Sequence, residues 1–199
     1  MSVPRLILAS SSPRRKELLV TVGVEFSCQP ADIDESVHAA EPPDDYVQRM
    51  ARDKAAVVAA RQMAANYCVL AADTSVIIDG EILGKPADYS EAMAFLLRLS
   101  GRRHRVITAL CLQTEAGVSM RSVETVVQFV QLEPRQLDAY LATDEPWDKA
   151  GAYAIQGLGG AFVETIEGSY SNVVGLPLAQ TLQLLAEHGV SSRFDGPRG

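Results

Sequence analysis

Apolar residues along the chain recur at two spacings, and the changes between them lay out a succession of short strands and helices. Leu6 to Ala9 is a short apolar run followed by Ser10-Ser11-Ser12-Pro13. Ser12 can cap and Pro13 can open a helix that runs to about Val22 and is closed by Gly23. Val24, Phe26 and Cys28 alternate with polar neighbours as a half-buried strand does, until Pro30. After Pro42-Pro43, Val47, Met50, Lys54, Val57 and Arg61 return every three or four residues. That spacing predicts an amphipathic helix from about Asp45 to Ala64, with Lys54 on its mostly apolar stripe.

Cys68 to Ala72 and Ser75 to Ile78 read as apolar strand-like runs interrupted by Asp73-Thr74, and Asp79-Gly80 is a tight-hairpin signal leading to Glu81-Ile82-Leu83. Asp88 with Glu91 resembles a capping box opening a helix that stops at Ser100-Gly101. Two alternating segments from Arg105 to Gln131 flank Glu115-Ala116-Gly117, with Val123, Thr125, Val127 and Phe129 on one face of the second, which predicts a long antiparallel hairpin. A helix from Pro134 to Leu141, a glycine-rich stretch from Lys149 to Gly160, a strand near Phe162 to Ile166 and a helix from Leu178 to Glu187 complete the succession. Strict βαβ alternation is missing, so the expected fold is α/β with a mixed sheet and flanking helices.

Composition narrows the functional classes. The 199 residues hold 47% hydrophobic and 22% charged residues, inside the globular range. With 18 Lys+Arg against 25 Asp+Glu the formal charge is −7, which argues against a duplex nucleic-acid binder that neutralises phosphates. Cys28, Cys68 and Cys111 are too few and too scattered for a disulfide framework and point to a reducing compartment, the cytoplasm. The first apolar run is too short for a signal peptide, and no run approaches the roughly 20 apolar residues of a membrane span. No repeat or linker divides the chain. The expectation is one domain over residues 1–189 and a flexible tail over 190–199.

Five places carry candidate chemistry. Ser10-Ser11-Ser12-Pro13-Arg14-Arg15 puts hydroxyls, free amides and two guanidinium groups at one helix start, suited to an anion, or else an ordinary Ser-Pro start with solvated arginines. Asp73-Thr74 sets a carboxylate and a hydroxyl between apolar segments, where burial needs a partner, whether catalytic or structural. In Gly84-Lys85-Pro86, Lys85 offers a point charge, yet only three residues separate Gly80 from Gly84, and Pro86 stands where a phosphate loop needs Ser or Thr. The stretch Asp148 to Gly160 lets backbone approach a ligand, and the Gln156 amide can donate and accept as reading a base edge requires; a flexible surface loop would look the same. It misses the dinucleotide fingerprint, because Phe162 occupies the third glycine position. The acidic loop Asp32-Ile33-Asp34-Glu35 suits a hard cation held together with phosphate oxygens, or is merely solvated. His38, His104 and His188 show no metal-ligand spacing and receive no role.

The run Leu8-Ala9-Ser10-Ser11-Ser12-Pro13-Arg14-Arg15-Lys16-Glu17-Leu18-Leu19 resembles the N-terminal signature of the Maf family of nucleotide pyrophosphatases, the septum-formation-inhibitor-like proteins. Further blocks follow in order: Met50-Ala51-Arg52-Asp53-Lys54-Ala55, Ala72-Asp73-Thr74 through Gly84-Lys85-Pro86, Leu99-Ser100-Gly101, Asp148 to Gly157, and Gly168-Ser169-Tyr170 to Val174-Gly175-Leu176-Pro177. The resemblance implies an elongated, twisted sheet of the inosine-triphosphatase type with a cleft between two lobes, often as a homodimer. It implies hydrolysis of a nucleoside triphosphate to the monophosphate and pyrophosphate with a divalent metal, Mg²⁺ first and Mn²⁺ or Co²⁺ as alternatives. Such an activity would limit misincorporation of modified nucleotides and is linked to arrest of cell division.

Carried over by position, the resemblance makes Asp73 the proton acceptor and a metal ligand, with Glu35 as its acidic partner at the metal. Ser10, Ser12, Arg15, Lys54 and Lys85 would hold phosphates. Arg14, Thr74 and Gln156 match the specificity positions of a subgroup acting on dTTP and UTP, whereas a subgroup directed at 7-methyl-GTP carries a Gln after the catalytic Asp and a Glu near position 156. A neutral amide suits the uracil or thymine edge, where a carboxylate would face two carbonyls. Two alternatives stand beside this expectation: a regulatory nucleotide-binding protein with little hydrolysis, and a pyrophosphatase for a modified nucleotide such as 7-methyl-GTP.

Overall fold

The computed structural model describes residues 4–196. Leu6, Ile7 and Leu8 are buried on both faces of β1 (Arg5–Leu8), as an unbroken apolar run in a parallel sheet requires. Then come α1 (Pro13–Thr21), β2 (Ser27–Cys28), α2 (Pro43–Ala59), β3 (Tyr67–Ile78), β4 (Glu81–Leu83) and α3 (Tyr89–Leu99). They are followed by β5 (Arg103–Thr114), β6 (Gly117–Phe129), α4 (Pro134–Leu141), β7 (Val163–Glu167), α5 (Tyr170–Val174) and α6 (Leu178–Glu187). The strands form one sheet in the order β2-β1-β3-β5-β6-β7, with β4 paired to β3. β1 runs parallel to β2 and β3, while β4 and β7 run antiparallel to β3 and β6, so the sheet is mixed, as expected. Among the described residues no helix is long and apolar enough to cross a membrane.

Two compact units make up the chain. The first comprises Met1–Asp73, Thr108–Val123 and Gly175–Gly199, and its core gathers Leu6, Leu8, Leu19, Leu70, Leu110 and Leu184. The second comprises Thr74–Ile107 and Glu124–Val174. Its core holds Leu96, Leu99 and Leu137 around Phe129, Tyr140, Tyr153 and Phe162, whose rings meet edge to face.

Several local readings need revision. Asp73 and Thr74 do not interrupt two strands; they lie inside the single 12-residue β3, because hydrogen-bonded neighbours carry a strand through polar positions. The helix expected over Asp45–Ala64 starts at Pro43 and ends at Ala59. The strand expected from Val24 shrinks to Ser27–Cys28, and α5 had no periodic signal in its five residues. The hairpin turn forms as read, with Asp79 at φ 55° and Gly80 at φ 79°, the positive values that a two-residue turn of this type demands. Asp88 accepts from the Glu91 amide at 2.9 Å, but Glu91 reaches back to the Ala87 amide rather than closing the box on Asp88. In the segment expected as a tail, Val190 is buried and the Arg193 amide donates to the Val22 carbonyl at 2.9 Å, while residues 197–199 lie outside the described residues.

Candidate active site

The parallel pairing of β1 and β3 runs from Arg5 opposite Tyr67 to Leu8 opposite Leu70, and the Ala9 amide adds one more bond to the Leu70 carbonyl at 2.8 Å. Ser10 therefore begins where β1 ends, and β3 continues three residues to Asp73. Open α/β sheets bind ligands outside such carboxyl ends of parallel strands. Here the apolar pattern breaks: Ser10, Asp73 and Lys54 are 6%, 8% and 9% exposed, polar groups at core depth.

The burial of Asp73 is answered by Lys54. From the inner stripe of α2, Lys54 Nζ donates to Asp73 Oδ1 at 2.7 Å and lies 2.7 Å from Glu35 Oε1. A buried carboxylate without such a partner would cost several kcal/mol, roughly, in desolvation. Two carboxylates thus share one ammonium, and Glu35, from the acidic loop, is the more exposed of the pair.

At the start of α1 the three serines divide their work differently from expectation. Ser12 occupies the cap position, but its hydroxyl makes no capping bond; Ser10 Oγ instead accepts from the Ser12 amide at 3.1 Å and from Arg15 Nη1 at 3.4 Å. Arg15 Nε donates to the Gly175 carbonyl at 2.8 Å, which fixes the guanidinium over the helix start. Burial lowers the Arg15 pKa, the charges of Asp73 and Glu35 raise it, and Arg14 lowers it further. Arg15, Asp73, Lys54 and Glu35 form one alternating set of charges within the first unit.

Two residues that sequence reasoning missed hold this set in place. Tyr46 Oη donates to the Glu35 carbonyl at 2.9 Å, and Arg49 grips both carboxylate oxygens of Glu41 at 2.6 Å while donating to the Ser36 carbonyl at 3.0 Å. Arg49 holds the Glu41 carboxyl at about 2. Burial, with the charges of Asp73 and Glu35 behind it, pushes the Tyr46 hydroxyl up to about 12. The available signal was their spacing: Tyr46, Arg49 and Lys54 share the face of α2 turned toward the acidic loop.

The remaining expected residues belong to other places. Arg14 is half-buried on α1, and Thr74, half-buried, follows Asp73 on β3. Lys85 and Gln156 are exposed in the second unit. There the Gly151 amide donates to the Gly84 carbonyl at 3.0 Å, tying the residue before Lys85 to the glycine-rich stretch. That stretch is ordered by two 3-10 turns, Ala150–Ala152 and Leu158–Phe162, with Gln156 between them. His104, given no role, is core: it meets Tyr153 Oη at 2.9 Å and packs edge-on to Phe129.

Chemically, the first unit offers a carboxylate that can take a proton, cations that can face phosphate oxygens, and a second carboxylate close by. A mixed α/β protein with this set at the carboxyl ends of its parallel strands has the parts of a phosphate-handling enzyme. The family model described as Maf-like protein matches residues 5–188, and the chain belongs to the Maf family. A protein of Anaeromyxobacter dehalogenans named dTTP/UTP pyrophosphatase is 52% identical over 198 residues, covering 98% of this chain and 99% of the relative. Proteins of the same name from Alcanivorax borkumensis, 54% identical over 90% of this chain and 93% of the relative, and from Hahella chejuensis, 50% identical over 94% and 93%, agree with it.

Proposed function

We propose that the protein is a pyrophosphatase that hydrolyses dTTP and UTP to the nucleoside monophosphate and pyrophosphate. The observation that carries the chemistry is the Asp73 carboxylate, buried on β3 and held at 2.7 Å by Lys54 Nζ. Family membership and full-length relatives named for this activity support the substrate. Water attacks the α-phosphorus, its proton passes to Asp73, and the bond from the α-phosphorus to the bridging oxygen breaks, so that its electron pair leaves with pyrophosphate. Within the first unit Ser10, Ser12, Arg15 and Lys54 hold phosphates, while a phosphate role for Lys85 and nucleoside-reading roles for Arg14, Thr74 and Gln156 rest on membership of the family.

The donor set also fits a divalent cation. Asp73 and Glu35 each bring an oxygen to 2.7 Å from one ammonium, and no group of three or more His, Cys, Asp or Glu suited to a metal occurs among the described residues. Two carboxylates completed by substrate phosphate oxygens are a usual setting for Mg²⁺. Asp73 and Glu35 would hold it, and when bound it supplies neutralisation of charge on the phosphate oxygens. A single catalytic domain, a cytoplasmic location and a homodimer belong to the same proposal.

The test is product analysis by chromatography, with Mg²⁺ and each common nucleoside triphosphate plus 7-methyl-GTP, and Asp73→Asn alongside. Monophosphate and pyrophosphate are expected from dTTP and UTP, with turnover falling roughly a thousandfold in the variant. An Asp73→Asn protein that keeps most of its rate removes Asp73 as the base, and turnover of 7-methyl-GTP alone moves the substrate to the other subgroup.

A further inference from the structure

Gln156 sits one residue before a glycine whose missing side chain leaves room for a carboxylate. A Cβ built on Gly157 would lie 2.0 Å from Glu145 Oε2 and 2.5 Å from its Cδ. Glu145 comes from the segment after α4 and fills that space with three hydrogen bonds. Its Oε1 accepts from the Gly159 amide at 2.8 Å and from Tyr140 Oη at 2.9 Å, and its Oε2 accepts from the Leu158 amide at 2.8 Å. The same Tyr140 oxygen accepts from the Ala154 amide at 3.2 Å. One linked pair of side chains therefore grips the backbone on both sides of Gln156, at residue 154 before it and at residues 158 and 159 after it.

We propose that Glu145 is a positioning residue for base recognition, clamping the 154–159 loop so that the Gln156 side chain reaches toward the base from a fixed backbone. The proposal rests on the reading of Gln156 as the residue that faces the base. A carboxamide donates from one side and accepts from the other, so in one pose it complements the carbonyl and N–H of uracil or thymine, and turned over it complements the amino group and ring nitrogen of cytosine. The choice between them depends on how the amide approaches the base edge, and a backbone held on either side of Gln156 fixes the point and direction from which its side chain extends.

Other features agree with an anchored rather than a passive carboxylate. Burial raises the Glu145 pKa, but the Gly159 and Leu158 amides and the Tyr140 hydroxyl lower it by more, so the net shift is downward. The anchor is itself braced: the Glu145 amide donates to Thr143 Oγ1 at 3.3 Å, and Lys149 Nζ donates to the Glu145 carbonyl at 3.0 Å.

The experiment measures kcat and KM for UTP and CTP in the full-length wild type, Glu145→Gln and Gly157→Ala, with amide hydrogen exchange at Leu158 and Gly159 and thermal melting on the same samples. In Glu145→Gln one oxygen becomes an NH₂ facing a backbone N–H. The ratio of kcat/KM for UTP over CTP should then fall about tenfold, through KM for UTP, while kcat for UTP stays within about twofold. The Leu158 and Gly159 amides should lose protection. Gly157→Ala should reproduce the effect by pushing the carboxylate away, and should add little in a Glu145→Ala background, where the obstructing group is gone.

An unchanged ratio with lost protection overturns the positioning role, and retained protection overturns the clamp. Equal losses for UTP and CTP that follow the melting temperature make Glu145 merely structural and overturn the proposal as well. A wild type that turns over neither nucleotide sinks the pyrimidine reading itself, and this inference with it, so the two failures are told apart by the wild-type arm.

Discussion

Lys54 holds two acids with one ammonium, and removing it shows what the charge contributes. In Lys54→Met, Asp73 stays buried without its hydrogen-bonded ammonium and Glu35 loses the same ion pair. Turnover should fall about a hundredfold, since the cation facing developing phosphate charge is gone, and unfolding in urea should show a loss of about 3 kcal/mol from the buried unpaired carboxylate. Unchanged kinetics beside that stability loss would make the pair structural only. At this scale, Asp73 and Lys54 were legible because each breaks an apolar pattern. Their partnership was not, because they are 19 residues apart on different elements. Among Ser10, Ser11 and Ser12 the side chains are identical, so only the backbone path after β1 decides that Ser10 Oγ receives the amide and the guanidinium.

The element that organises the acidic side of the site is α2. Its inner stripe delivers Lys54, and the same helix holds the preceding loop through Tyr46 and Arg49. Arg49→Ala frees Glu41 and the Ser36 carbonyl, so the loop that carries Glu35 is held beside the ammonium less firmly. The Mg²⁺ concentration for half-maximal dTTP hydrolysis should rise about tenfold with kcat at saturating metal nearly unchanged. A fall in kcat alone would mean that the loop serves the chemical step instead. The helix itself could be read from the sequence because a three-to-four residue period is a local property. Its start at Pro43 follows from the proline in its first turn and the acids Asp44 and Asp45 near its positive end. The continuity of β3 through Asp73 could not be read, since β1 pairs with its first half and β4 with its last residues.

Over the whole molecule, the core of the second unit carries a titratable group, His104, 2% exposed. Burial lowers its pKa from 6.5 to about 4. The folded state favours the neutral ring, so this contribution to stability is complete above pH 6.5 and is lost as the pH falls toward 4. Thermal and urea unfolding between pH 7 and 4 should show about 3 kcal/mol more loss for the wild type than for His104→Gln, which keeps a hydrogen-bonding group for Tyr153. Parallel curves would mean that the folded ring takes up its proton as readily as the unfolded one, and that burial does not hold it neutral. The sequence by itself determined the succession of elements, the faces they bury, the hairpin turn at Asp79-Gly80 and the polar residues that stand out from apolar runs. Periodicity, capping and turn chemistry act within a few residues, so neighbours along the chain suffice to specify them. Tertiary structure decided the strand order, the meeting of Lys54 with Asp73 and Glu35, the grip of Arg49 on the acidic loop and the place of Glu145 against Gly157. Each of those depends on which distant backbone arrives within hydrogen-bonding distance, and packing alone sets that.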